Sequence, residues 1–178
     1  MNVNKIVGIL KFAGVYRGFG IVKVKTGNYK GAVVDFTEAI RLNPNYIGAY
    51  IDRGYAKEAL GDYTGAIDDF TKAIQLEPND AGAYIDRGYA KSEVGDYTGA
   101  IDDFTEVIRL EPNDAYAFNS CGYAKYKLGD KLGAISDYNE ATRLFKQQGQ
   151  KDNYRLLVTL IDNLTSRDDS AQYSNTIG

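Results

Sequence analysis

Residues 47–80 read IGAYIDRGYAKEALGDYTGAIDDFTKAIQLEPND, and the next 34 residues, 81–114, repeat them with seven substitutions. Near-identity at such a period specifies one supersecondary unit stacked on copies of itself, not a chain folded round one core. The frame extends in both directions. Between residues 13 and 46, Gly20, Gly27, Tyr29, Gly31, Ala32, Phe36, Ala39 and Pro44 stand where Gly54, Gly61, Tyr63, Gly65, Ala66, Phe70, Ala73 and Pro78 stand later. Phe118, Gly122, Ala124, Gly129, Asp130, Ala134, Ile135, Tyr138 and Ala141 hold it again, giving four copies: 13–46, 47–80, 81–114 and 115–148.

Each copy resolves into two helices. In the second, Tyr50, Ile51, Gly54, Ala56 and Leu60 share a helical face, and Gly61 supplies the left-handed residue that helix ends favour. Asp62 then caps the next helix by accepting from exposed N–H groups, as Asn28, Asp96 and Asp130 do in the other copies. Tyr63, Ala66, Ile67, Phe70, Ala73, Ile74 and Leu76 form the second apolar face, which Glu77-Pro78-Asn79-Asp80 ends. Gly20, Gly54, Gly88 and Gly122, opposite Ala32, Ala66, Ala100 and Ala134, let the helices of a pair approach closely, with large residues at 50, 70, 84 and 104 beside them.

The ends are less regular. Residues 18–25, GFGIVKVK, are poor in helix formers, so the first helix has the weakest local support. Residues 1–12 read as a lead-in whose Ile6, Val7, Ile9, Leu10 and Phe12 cover the open end of the first copy. Lys146 stands where Pro44, Pro78 and Pro112 end the earlier copies, so the last helix is expected to run to about Gln147. Tyr154, Leu157, Val158, Ile161 and Leu164 make a helical stripe, predicting a capping helix within 149–165; residues 166–178 are polar, without period, and read as a disordered tail.

Composition narrows the chemistry. Cys121 is the only cysteine and there is no histidine, so neither an internal disulfide nor the usual zinc sets can form. No cofactor or metal is expected. No stretch approaches the ~20 apolar residues of a membrane span, no clear secretory signal opens the chain, and the reading is cytoplasmic. The net charge of −3 is unevenly placed: residues 47–114 hold six Lys+Arg against fifteen Asp+Glu, a net of −9, while residues 1–46 hold seven against two, a net of +5. So acidic a middle repels phosphate backbones, and nucleic acid is not an expected partner.

The small residues, aromatics and prolines of this frame resemble the tetratricopeptide repeat family, a 34-residue helix-turn-helix. Tyr50, Gly54, Ala66, Phe70, Ala73 and Pro78 carry the likeness, with Tyr84, Gly88, Ala100, Phe104 and Pro112 one copy on. There are departures. Arg53 and Arg87, or Phe19 and Cys121, take the family's leucine position, and Lys23, Lys57, Lys91 and Lys125 its inner tyrosine position. Asp69 and Asp103 are candidate ion partners of the arginines, although Asp35 and Asp137 hold the same position in copies without one.

The resemblance implies an all-α, right-handed α-solenoid of antiparallel helix pairs whose first helices line a concave groove. It places in that groove Arg17, Ile21, Lys25, Ile51, Asp52, Tyr55, Glu58, Ile85, Asp86, Tyr89, Glu93, Tyr116, Asn119, Ser120, Tyr123, Tyr126 and Lys127. Tyr55, Tyr89 and Tyr123 recur one copy apart and, with Asp52 and Asp86, suit a protein or peptide of basic or apolar character. An anionic chain end, such as the family's chaperone adaptors take, would be repelled by those carboxylates. Other chemistry is weak. Cys121 has no base to activate it, and Asp68-Asp69 and Asp102-Asp103 read as solvated faces. The expectation is therefore a non-enzymatic interaction scaffold. The alternative is head-to-tail self-association, the basic first copy of one molecule meeting the acidic middle of another.

Overall fold

The computed structural model describes the backbone of residues 3–174 and the side chains of residues 12–166. The described elements are helices: α1 (Val3–Lys25), α2 (Tyr29–Leu42), α3 (Ile47–Glu58), α4 (Tyr63–Leu76), α5 (Ala81–Glu93), α6 (Tyr97–Leu110), α7 (Ala115–Lys127), α8 (Lys131–Gln147) and α9 (Lys151–Ser174). They fall into two compact units, residues 1–95 with α1 to α5 and residues 96–178 with α6 to α9.

Short-range chemistry sets the element boundaries. Gly61 has φ +78° and its counterparts Gly27, Gly95 and Gly129 lie between +76° and +86°, so each first helix ends in a left-handed residue. The next side chain caps the following helix: Asn28 accepts from Gly31 N–H, Asp62 from Gly65, Asp96 from Gly99 and Asp130 from Gly133. A Cβ on Gly65 would lie 2.3 Å from Asp62 Oδ2, which explains why glycine recurs there. α8 runs to Gln147, as the missing proline implies.

Within a pair the helices are antiparallel and close. Lys57 and Arg53 of α3 reach Asp69 of α4, while a Cβ on Gly54 would meet the Phe70 ring at 2.6 Å. Gly20 against Phe36 and Gly122 against Tyr138 repeat the arrangement in α1/α2 and α7/α8. The apolar interior is a series of small clusters. Phe36 packs with Ala32 and Ala56 of the next copy's first helix, Phe70 with Ala66 and Ala90, and Phe104 with Ala100, Cys121 and Ala124. In the second unit Leu157 and Leu164 of α9 join Tyr138, Leu144 and Phe145 of α8, so α9 covers the outer face of α8.

Three expectations change. Residues 3–12 are the first turns of α1, continuous with the first copy, and not a separate lead-in. Packing of Gly20 on Phe36 overrides the weak helix formers there. The last helix passes the expected boundary at Ser166 and continues to Ser174; residues 175–178 lie outside the described residues. Asp69 and Asp103, read as part of solvated faces, are 2% exposed. Neighbours on a helix diverge by about 100°, so Asp68 faces solvent while Asp69 points inward.

In three copies the inward carboxylate has the same partner. Lys23 Nζ meets Asp35 at 2.6 Å, Lys57 meets Asp69 at 2.8 Å and Lys125 meets Asp137 at 2.7 Å. The lysine in the tyrosine position thus explains why the aspartate persists in copies that lack the arginine. Arg53 adds a bidentate pair to Asp69, at 2.9 and 2.6 Å, and its Nη1 donates to Thr37 of the preceding copy. Arg87 donates likewise to Thr71, so the arginine ties one copy to the one before it. Cys121 holds that position in α7, where it is buried, and burial together with Asp137 pushes its thiol up to about 12.

Candidate partner-binding face

In the first unit α1, α3 and α5 lie side by side, joined by side chains spaced one copy apart. At the α1/α3 junction Arg17 bonds Asp52, and Ile21 lines a cleft beside that aspartate. At the α3/α5 junction Tyr55, the frame counterpart of Ile21, bonds Asp86, while Ile51 holds the frame position of Arg17. The two junctions have opposite electrostatic outcomes. Arg17 Nε donates to Asp52 Oδ2 at 2.7 Å, and its guanidinium stacks 5.5 Å over the Tyr46 ring, so Asp52 is neutralised within the chain. Ile51 carries no charge, and Asp86 accepts instead from the neutral Tyr55 hydroxyl at 2.6 Å.

Burial dominates the titration of the α3/α5 junction. Burial raises Asp86 above the ordinary aspartate range, and the charge of Asp80 adds to this while the Tyr55 hydroxyl opposes it. Glu58, desolvated and facing the charges of Asp86 and Glu93, is pushed up to about 7. Tyr55 is itself shifted upward by burial and by Asp86. Among the described residues no lysine or arginine pairs with Asp86.

Beside the neutralised junction lies a mostly apolar cleft of about 170 Å³, lined by Ile21, Val24, Lys25, Phe36, Asp52 and Tyr55. The Tyr55 ring meets Phe70 edge-on at 5.6 Å, which holds it upright between this cleft and Asp86. Tyr55 and Tyr89 are half-exposed, at 47% and 46%. Ile51 and Ile85 are half-buried, and Ile51 packs beside Tyr50, Ala83 and Tyr84.

The second unit presents its own set. Tyr123 and Tyr126 are exposed on α7 and Asn119 is half-buried. Lys127 lies 5.6 Å over the Tyr123 ring and 5.9 Å over Tyr97, so this aromatic surface already holds a cation. Tyr116 packs edge-on against Phe145, and its hydroxyl donates to Gln150 Oε1 and accepts from Asn153, which ties it to the start of α9.

Sequence reasoning placed Asp52 and Asp86 in one class, and the structure separates them. The signal was present: Arg17 is the only cation in the column Arg17, Ile51, Ile85, Asn119. Val24 and Phe36, which line the cleft, were not singled out for binding: Phe36 carried the frame's packing position, while Val24 holds the frame position of the groove residue Glu58. No described helix is long and apolar enough to cross a membrane, and no described cluster of His, Cys, Asp or Glu could hold a metal ion.

Solved structures share this fold. MamA from Desulfovibrio magneticus RS-1 superposes with a TM-score of 0.72 at 22% identity, covering 89% of this chain and 96% of that one. The Arabidopsis OM64 TPR domain superposes at 0.62 with 29% identity, covering 66% and 98%. The first TPR of Spaghetti (RPAP3), bound to the HSP90 peptide SRMEEVD, gives 0.61 and 26%, covering 67% and 97%. No curated protein matches the sequence significantly. Models described as tetratricopeptide repeat match residues 18–46 and 48–80, and one described as TPR repeat matches residues 88–129. With these matches spanning more than half of the sequence, and the helix pairs built as described, the chain belongs to the tetratricopeptide repeat family.

Proposed function

We propose that this chain is a non-catalytic interaction scaffold. The face built from α1, α3 and α5 takes a protein segment carrying a lysine or arginine next to an apolar side chain. The observation that carries this reading is Asp86. It is a half-buried carboxylate with a neutral hydrogen-bond donor and carboxylates around it, one copy away from an identical aspartate that Arg17 neutralises. A cation from a partner would do for Asp86 what Arg17 does for Asp52. The apolar side chain would enter the cleft of Ile21, Val24 and Phe36 on the other side of Tyr55.

The peptide bound to the RPAP3 domain, SRMEEVD, is acidic. The carboxylates of Asp86, Glu58 and Glu93 favour the opposite charge here. The test is fluorescence anisotropy with labelled peptides that pair an aliphatic residue with lysine or arginine, beside glutamate-substituted controls. Binding of the basic set alone, lost in Tyr55→Ala/Tyr89→Ala with helicity intact, is the expected result. Equal binding of both sets, or full binding by the double variant, would reject the face.

A further inference from the structure

We propose that α1 also forms a self-association surface, pairing with α1 of a second copy of this chain through the stripe Phe12, Val15, Phe19 and Val22. These side chains are 62%, 47%, 55% and 60% exposed and recur at intervals of three, four and three residues, on one helix face. The same face is covered in every later copy. Ala49 and Ala56 on α3, Ala83 and Ala90 on α5, and Ala117 and Ala124 on α7 are at most 3% exposed. There Phe36, Phe70 and Phe104 of the preceding copy's second helix pack against Ala56, Ala90 and Ala124, and Arg53 and Arg87 reach back to Thr37 and Thr71. The α1 stripe therefore continues the stacking interface of the repeats, one step beyond its last internal contact.

The residues on the stripe select its occupant. A second helix of this repeat type offers residues such as Ile40, Ile74 or Phe104 to holes lined by alanine. α1 carries valine at both alanine positions and phenylalanine at the arginine position, so it has no such holes and would be overpacked by another second helix. Large apolar residues spaced three and four apart are instead the seam of a two-helix coil, where knobs of one helix enter holes of an identical one.

Sedimentation equilibrium of the 178-residue chain from micromolar to millimolar concentration tests this. The expected mass rises from 19.6 kDa toward twice that value, at low and at high salt alike, because burying an apolar seam does not depend on opposite charges. Phe19→Arg places on α1 the residue that α3 and α5 carry there, and should weaken the dimer about 100-fold with unchanged circular dichroism. Leu132→Arg, at a site 81% exposed on α8, should leave it intact. A chain that stays at 19.6 kDa throughout, a Phe19→Arg variant that dimerises like the parent, or association abolished by salt overturns the proposal.

Discussion

The α1/α3 and α3/α5 junctions of the first unit are built from the same repeat and differ chiefly in one pair of positions. Where α1 offers Arg17 and Ile21, Asp52 is neutralised; where α3 offers Ile51 and Tyr55, Asp86 keeps an uncompensated charge. Aspartates at equivalent places therefore join neighbouring copies in unlike ways, the first through a cation and the second through a neutral hydroxyl. On the proposed function, changing the residue opposite such an aspartate is enough to turn a structural contact toward recognition without altering the frame.

The largest effect should come from a carboxylate that is both buried and fully paired, which sets the scale for the junctions. Asp69→Ala leaves Arg53 and Lys57 without their shared partner in a site where Asp69 is 2% exposed, and should cost about 3–5 kcal/mol by chemical denaturation. Next is the frame itself. Gly54→Leu drives a side chain into Phe70, and Ala66→Phe fills a fully buried position, so each should lose roughly 1–3 kcal/mol or more; an unchanged thermal melt would contradict the close pairing on which both junctions stand.

Smaller effects separate the junctions by sign. Asp52→Asn removes the partner of Arg17 and should destabilise by at most about 1 kcal/mol, the pair being partly exposed. Asp86→Asn relieves repulsion and should leave the melting temperature at pH 8 unchanged or higher. The smallest effect is a pH dependence. Glu58 is raised to about 7 from 4.5, so the folded chain retains a proton that the unfolded chain has lost. Its contribution is full below about pH 4.5 and fades as pH rises through 7, so stability should fall between pH 5 and pH 8 on its account. Glu58→Gln should flatten that slope, as read by thermal melts across the range.

The features legible in the sequence are those the repeat averages over. Gly61, Asp62, Gly54 and Phe70 recur at one spacing because each satisfies a local demand of turn, cap or close approach, and all perform as their positions imply. The lysine-aspartate pairs were less legible, because Lys57 replaces the family's tyrosine and Asp69 sits next to the solvated Asp68. The pairing of Arg17 with Asp52 escaped for a different reason. Its partner lies 35 residues away, one copy plus one position, so aligning the copies places Arg17 over Ile51 and separates it from Asp52. The ends of α1 and α9 exceed the periodic reading because continuation of a helix past a frame boundary leaves no mark in a period.

The contrast between the junctions is tested most directly by exchanging their deciding residues. A labelled peptide pairing an aliphatic residue with lysine is titrated by anisotropy against the parent chain, Ile51→Arg and Arg17→Ile, each checked by circular dichroism. Ile51→Arg supplies Asp86 with an internal cation and should abolish binding, while Arg17→Ile frees Asp52 and should preserve or strengthen it. Undiminished binding by a folded Ile51→Arg chain would contradict the assignment of Asp86 as the open site.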